Sequence, residues 1–129
     1  MTSSSFKKDK ASPMSINRIG VGPRMSQAVV HGETIFLSGT VADKTAGKSV
    51  GEQTKEILAI IDRLLAQAGS DKSKILSANI WLVDIKTFAE MNAVWDAWVA
   101  PGHTPARATV EAKLAAPQFA VEIACIASR

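Results

Sequence analysis

The run from Thr104 to Leu114 constrains the chain most. Its apolar residues recur at every second position. Ala108, Val110, Ala112 and Leu114 fall on one side, and Arg107, Thr109, Glu111 and Lys113 on the other. A two-residue period belongs to a strand with one covered face, so this chain must build a sheet. Pro105 enters the run behind a Pro-Gly-His-Thr-Pro loop, and Arg107 stands just inside it. Strand starts beside loops are where a rigid scaffold presents functional side chains. Most surface arginines are nevertheless solvated or paired. The pattern alone leaves Arg107 open between an anchor and an ordinary surface residue.

The rest of the chain supplies the partners this strand requires. Residues 27–31 and 34–38 are two apolar runs separated by a central glycine, Gly32, which reads as a hairpin. Ser49-Val50-Gly51-Glu52 has the spacing of a capping box, and Ile57, Ile61, Leu64, Leu65 and Ala68 follow it at helical spacing. Leu58 and Ile60 widen that apolar face, as a helix packed on a sheet needs. Gly69 is a natural helix stop, so the helix spans about 50–68. Residues 75–83 alternate again, with Leu76, Ala78, Ile80 and Leu82 on one face and Ser77, Asn79, Trp81 and Val83 on the other. Thr87-Phe88-Ala89-Glu90 has the spacing of a second capping box. Phe88, Met91, Trp95 and Trp98 mark a second helix that ends before Pro101-Gly102. After the Thr104–Leu114 strand, Pro117 makes a turn and Phe119–Ala127 forms a last strand.

The predicted order is β-β-α-β-α-β-β, an α+β fold with two helices on one face of a mixed sheet. Trp81, Val83, Thr109, Ala124 and Ile126 are assigned to the other face, which is too apolar to be left in water. No further helix is available to cover it, so another subunit is expected there.

Composition sets the remaining bounds. The chain has 129 residues, which fits one domain, and 47% hydrophobic content, which fits a full core. Residues 1–15 are Ser/Lys-rich and aperiodic and read as a disordered tail, with 16–129 as the single domain and Met14 as an alternative start. Lys7, Lys8 and Lys10 against Asp9 place two of the three net positive charges in that tail. The near-neutral remainder lacks the basic stripe that nucleic acid requires. No apolar run reaches the ~20 residues of a membrane span, and no signal-peptide core is visible. One cysteine, Cys125, excludes an internal disulfide and fits a cytoplasmic protein. His31 and His103 lack metal-ligand spacing, so no metal site is expected.

Ser38-Gly39, Phe88-Ala-Glu-Met-Asn92-Ala, Pro105-Ala-Arg107 and Val121-Glu122-Ile123 together resemble the RidA/YjgF family of reactive-intermediate deaminases. The resemblance covers about residues 17–129, and Asn92–Val99 with Gly102-His103-Thr104-Pro105 is similar to the YoaB-like branch. It implies the chorismate-mutase-like fold and a homotrimer with a central barrel and ligand clefts between subunits. It also implies hydrolysis of 2-imino or enamine acids, of the 2-iminobutanoate and 2-iminopropanoate type, to 2-oxo acids and ammonia, with no metal or cofactor. Carried over, Arg107 grips the substrate carboxylate, a task suited to a planar guanidinium with two parallel donors. Ser38 and Gly39 line the cleft, Asn92 lies near it, and Thr109 occupies a position that is often Cys.

Two positions depart from the family pattern. The water-positioning glutamate expected on the last strand is matched here by Ala124, with Glu122 two residues earlier on the same strand face. Gly22-Pro23 is followed by Arg24 where an aromatic residue is common. Glu122 is therefore the candidate base, and Arg24 a candidate substrate contact. A second expectation is a non-catalytic trimeric sensor of small carboxylates such as 2-oxo acids. The neutral domain and the lack of a His or Lys cluster argue against the endoribonuclease role attached to some relatives. Binding of so small a ligand is expected in the micromolar to millimolar range.

Overall fold

The computed structural model describes residues 15–129; the predicted tail, apart from Ser15, lies outside the described residues. The elements run β1 (Ile16–Val21), β2 (Ser26–His31), β3 (Thr34–Leu37), α1 (Val50–Gln67), β4 (Ile75–Leu82), α2 (Phe88–Trp98), β5 (Ala106–Glu111) and β6 (Val121–Ser128). The six strands form one sheet in the order β1-β2-β3-β6-β4-β5. Only β4 and β5 run parallel; the other neighbours are antiparallel. This is the α+β arrangement read from the periodicities, with one strand added at the front.

That strand, β1, escaped the pattern because Ile16, Ile19 and Val21 do not alternate. Backbone pairing to β2, from Ile16 opposite His31 to Val21 opposite Ser26, makes it a strand. It is an edge strand, and Ile16 and Val21 stay exposed. The β2–β3 hairpin turns at Gly32-Glu33, where Gly32 adopts a positive φ of 62° that favours glycine.

The core lies between the sheet and α1. Val121, Ile123, Cys125 and Ala127 on β6, Ala28 and Val30 on β2, and Ile35 and Leu37 on β3 all face it. Ile57, Leu58, Ile61, Leu64 and Leu65 of α1 close over them. Ser49 caps α1 by accepting from the Glu52 N–H, as its spacing predicts.

Two local expectations are corrected. Leu76 does not join the buried face of β4. A register shift against β6 between Ile75 and Ser77 turns Leu76 outward and buries Ile75 in its place. The Thr87–Glu90 pair does not form a capping box. Thr87 instead donates to the Asp84 carbonyl, and Glu90 reaches across to accept the Gly51 N–H of α1 at 2.9 Å. First-turn N–H groups of a helix have no intrahelical partner, so Glu90 satisfies one of α1's and ties the two helices together.

Gln53 is the fully buried polar hub. Its amide donates to the carbonyls of Lys48 at 3.0 Å and Gln118 at 3.1 Å and accepts the Ala120 N–H at 2.9 Å. One side chain thereby joins α1, the loop before it and the loop that leads into β6. Gln53→Ala takes a partner from the part-buried Lys48 carbonyl and Ala120 N–H and one of two from the Gln118 carbonyl, which also accepts the Gly47 N–H. We expect a loss of about 3 kcal/mol of stability, read by denaturant unfolding; an unchanged midpoint would refute the hub role.

Candidate functional site

Sheet parity decides where each predicted site residue points. Arg107 pairs with Ala78 and Thr109 with Ile80, both buried on the helix side, so Arg107 and Thr109 share that side. The assignment of Thr109 to the uncovered face is therefore corrected; Ala106, Ala108 and Val110 occupy it instead. Glu122 pairs with Trp81 and Ala124 with Asn79, so both stand on the uncovered face with Phe36 and Ile126. Arg107 and Glu122 thus project from opposite faces of one sheet.

The first cluster forms where β5 meets α2. The Arg107 guanidinium lies 5.7 Å from the Phe88 ring centroid and 5.2 Å from that of Trp95. Both are cation–π distances. Phe88, Asn92 and Trp95 share one stripe of α2 at helical spacing, which sets Asn92 between the two rings. No hydrogen bond or ion pair joins the Arg107 side chain to another described residue. Buried oxygens of Asn92 and Thr109 also lack a hydrogen-bond partner. Buried polar groups are ordinarily partnered, so this cluster carries unused capacity for a polar ligand. Phe88 and Trp95 were predicted only as core stripe. Their spacing gave no sign that they also support Arg107, because that contact is made across the fold.

The second cluster lies where β3 ends. Gly39 sits against the Glu122 carboxylate so closely that a Cβ there would collide with it. The Glu122 carboxylate has no hydrogen-bond partner among the described residues. Ser38 and Gly39 also line a groove of about 700 Å³ that runs between the β2–β3 end of the sheet and α1. Glu56 of α1 fixes one wall by accepting the Lys44 N–H at 3.1 Å, the Thr45 N–H at 2.7 Å and the Thr45 hydroxyl at 2.7 Å. Partial burial opposes ionisation of Glu56, but these hydrogen bonds outweigh it and hold its pKa below the usual carboxylate range.

The two clusters are separate within one chain. Thr40, Ile123, Ile80 and Thr109 stand opposite one another in a single row. The end of β3 and β5 are therefore three strand spacings apart, roughly 14 Å. Arg24 is exposed in the β1–β2 turn, next to Met25 of the groove. Cys125 is buried, and desolvation pushes its thiol up to about 12, well away from a reactive thiolate. Among the described residues no three His, Cys, Asp or Glu side chains gather as a metal ion would need, and no helix is long and apolar enough to cross a membrane.

Residues 15–129 match the family described as Endoribonuclease L-PSP. A RutC family protein of Haemophilus influenzae is 47% identical over 89% of this chain and 99% of its own length. A solved YjgF-family structure from Neisseria meningitidis is 51% identical, with a TM-score of 0.88 over 92% of this chain and 98% of that one. This chain belongs to the YjgF family. Within the family it is 44% identical to the RutC family protein YoaB of Escherichia coli K12, over 89% of this chain and 99% of that protein. The family resemblance carried by Pro105-Ala-Arg107 and Val121-Glu122-Ile123 is thus established. For a YjgF-family chain, the geometry adds that Arg107 and Glu122 sit on opposite faces of the sheet.

Two outcomes follow. Gly39→Ala should displace the Glu122 carboxylate, and a crystal structure of the variant with Glu122 unmoved would refute the contact. The Glu56 pKa is depressed in the folded state, so its latch stabilises the 43–45 loop above the ordinary carboxylate pKa of 4.5 and is lost as pH falls through the depressed value. Hydrogen exchange at Lys44 and Thr45 should therefore accelerate as pH falls below that of a free carboxylate, beyond the intrinsic pH dependence, and Glu56→Gln should abolish the excess.

Proposed function

We propose that the protein hydrolyses small 2-imino or enamine acids to 2-oxo acids and ammonia in a homotrimer, at clefts between subunits. Arg107 carries this reading. It is a half-buried guanidinium on an aromatic platform, and no carboxylate among the described residues pairs with it. Such a group is stabilised by an incoming anion, and its paired donors suit a carboxylate. A further relative supports the reaction class: a chloroplast protein of Arabidopsis thaliana named Reactive Intermediate Deaminase A, 29% identical over 99% of this chain and 70% of that protein.

The separation of the two clusters supports the assembly. Arg107 of one copy and Ser38, Gly39 and Glu122 of a neighbour can share a cleft that one copy cannot close. The exposed Phe36, Ile126 and Val110 give the sheet an apolar face for that neighbour.

In the reaction, Arg107 holds the substrate carboxylate, and water adds to the electrophilic imine carbon. Glu122 takes the water's proton as the C–O bond forms and returns it to nitrogen. Glu122 then takes the carbinolamine hydroxyl proton and passes it to nitrogen as the C–N bond breaks, so ammonia leaves and C=O replaces C=N. Ala124 stands where the family pattern led us to expect the base; Glu122 is the carboxylate held against Gly39, so the role falls to Glu122. Positioning of carboxylate and water supplies much of the acceleration, and a general base adds about 10²–10⁴-fold.

Imines generated in situ by an amino-acid oxidase and trapped with a nucleophile give the assay. Arg107→Ala should raise KM at least tenfold, and Glu122→Gln should lower kcat about 10²–10⁴-fold. Co-assembly of the two impaired variants, assayed below the wild-type KM, should restore about a quarter of wild-type sites, the random-mixing fraction for a site shared by two subunits. No acceleration by wild type, together with Arg107-dependent binding of 2-oxo acids, would favour the sensor instead.

A further inference from the structure

Arg107 is the inner end of a longer chain of contacts. Its guanidinium lies 5.2 Å from the Trp95 ring centroid, and that ring lies 5.4 Å from the Trp98 ring, tilted by 54°. Rings at this separation and tilt attract one another. Trp95 and Trp98 share one face of α2, three positions apart. Trp95 is buried, so its ring is placed by what it packs against, and Trp98 is one of those contacts.

Trp98 is gripped in turn by two elements outside α2. Its indole N–H donates to the Asp62 carboxylate of α1 at 2.9 Å. The Lys72 ammonium, in the short turn before β4, stands 5.3 Å from the Trp98 ring centroid, a cation–π distance. A hydrogen bond to an ionised acceptor is directional and among the stronger kinds, so it sets the indole's rotation as well as its place. Asp62 is exposed and Lys72 half-buried, so neither serves to fill the core. Trp98 is also the last residue of α2, and the segment after it leads into β5 and Arg107.

An arginine side chain has many rotamers, and freezing them when a ligand arrives weakens binding. A guanidinium already held in its bound orientation avoids that loss. The rings hold Arg107, and the order of the rings depends on the grip at Trp98. We infer that Trp98, clamped by Asp62 and Lys72, is a positioning residue for the Arg107 anchor, acting through Trp95 rather than on the ligand. This rests on the carboxylate-anchor reading above. Loosening the clamp weakens ligand binding and leaves the chemical step at the imine carbon alone.

The test uses the full chain and surface variants that leave the core intact. Asp62→Ala should raise KM for the alanine-derived imine about threefold with kcat unchanged, the size of one exposed hydrogen bond. Asp62→Asn keeps an oxygen for the indole N–H and should restore most of the loss. Trp98→Phe removes the same bond from the other side, so combining it with Asp62→Ala should add nothing. In an Arg107→Ala background Asp62→Ala should have no further effect. The Arg107 Nε–H signal in a nitrogen–proton NMR spectrum, assigned by its loss in Arg107→Lys, should move in Asp62→Ala and return in Asp62→Asn. An unmoved signal, an unchanged KM, or a KM increase of the same size in the Arg107→Ala background overturns the inference. If wild type turns over no imine, the hydrolase reading fails, and Kd for pyruvate by calorimetry replaces KM in each comparison. If Arg107→Ala binds pyruvate as wild type does, the anchor reading fails, and the Arg107 signal alone decides whether Trp98 holds Arg107.

Discussion

β6 pairs with β3 on one side and β4 on the other, and its alternation is imposed on the whole sheet. Val121, Ile123, Cys125 and Ala127 are buried on the helix side; Glu122, Ala124 and Ile126 project from the other. A shift of one residue would put Glu122 into the core and expose four apolar side chains. Burial of a lone carboxylate there is costly enough to hold the register. Everything functional inherits this choice: Glu122 must face away from α1, and Arg107, tied through β4 to Cys125, must face toward the helices.

That opposition gives Arg107 its character. On the helix side it meets Phe88 and Trp95 rather than a carboxylate. The rings fix the guanidinium plane without neutralising it. On the other side Glu122 meets Gly39, whose missing side chain leaves room for the carboxylate, and no cation among the described residues pairs with it. Each charge is held by shape and left electrostatically unsatisfied. The two are separated by a sheet, so they do not neutralise one another within a chain. On the proposed reading, assembly turns this isolation into a cleft with an anion holder on one wall and a base on the other.

The polar ties behind the site follow the same economy. Gln53, Glu56 and Glu90 each reach from a helix to backbone groups elsewhere in the chain. Gln53 fixes the entry to β6, Glu56 fixes the groove wall, and Glu90 binds the two helices. Backbone groups in loops and first helical turns need partners wherever water is excluded. Side chains from the helices provide them, so the loops around the groove are held without secondary structure of their own.

Both helices, five of the six strands, the Ser49 cap and the pairing of a strand arginine with a final Val-Glu-Ile strand are local properties. They depend on side-chain period, cap chemistry and motif, all of which the sequence determines by itself. β1 was not legible, because its pairing is backbone to backbone and its side chains carry no period. The true partner of Glu90, the outward turn of Leu76 and the face of Thr109 were not legible either. Each is settled by a contact between residues distant in the chain, or by one register shift that reverses every side chain beyond it. The tertiary structure alone decided that Arg107 rests on two aromatic rings, that Glu122 lies against Gly39, and that a sheet stands between them, because register and packing are relations between segments and not properties of any one of them.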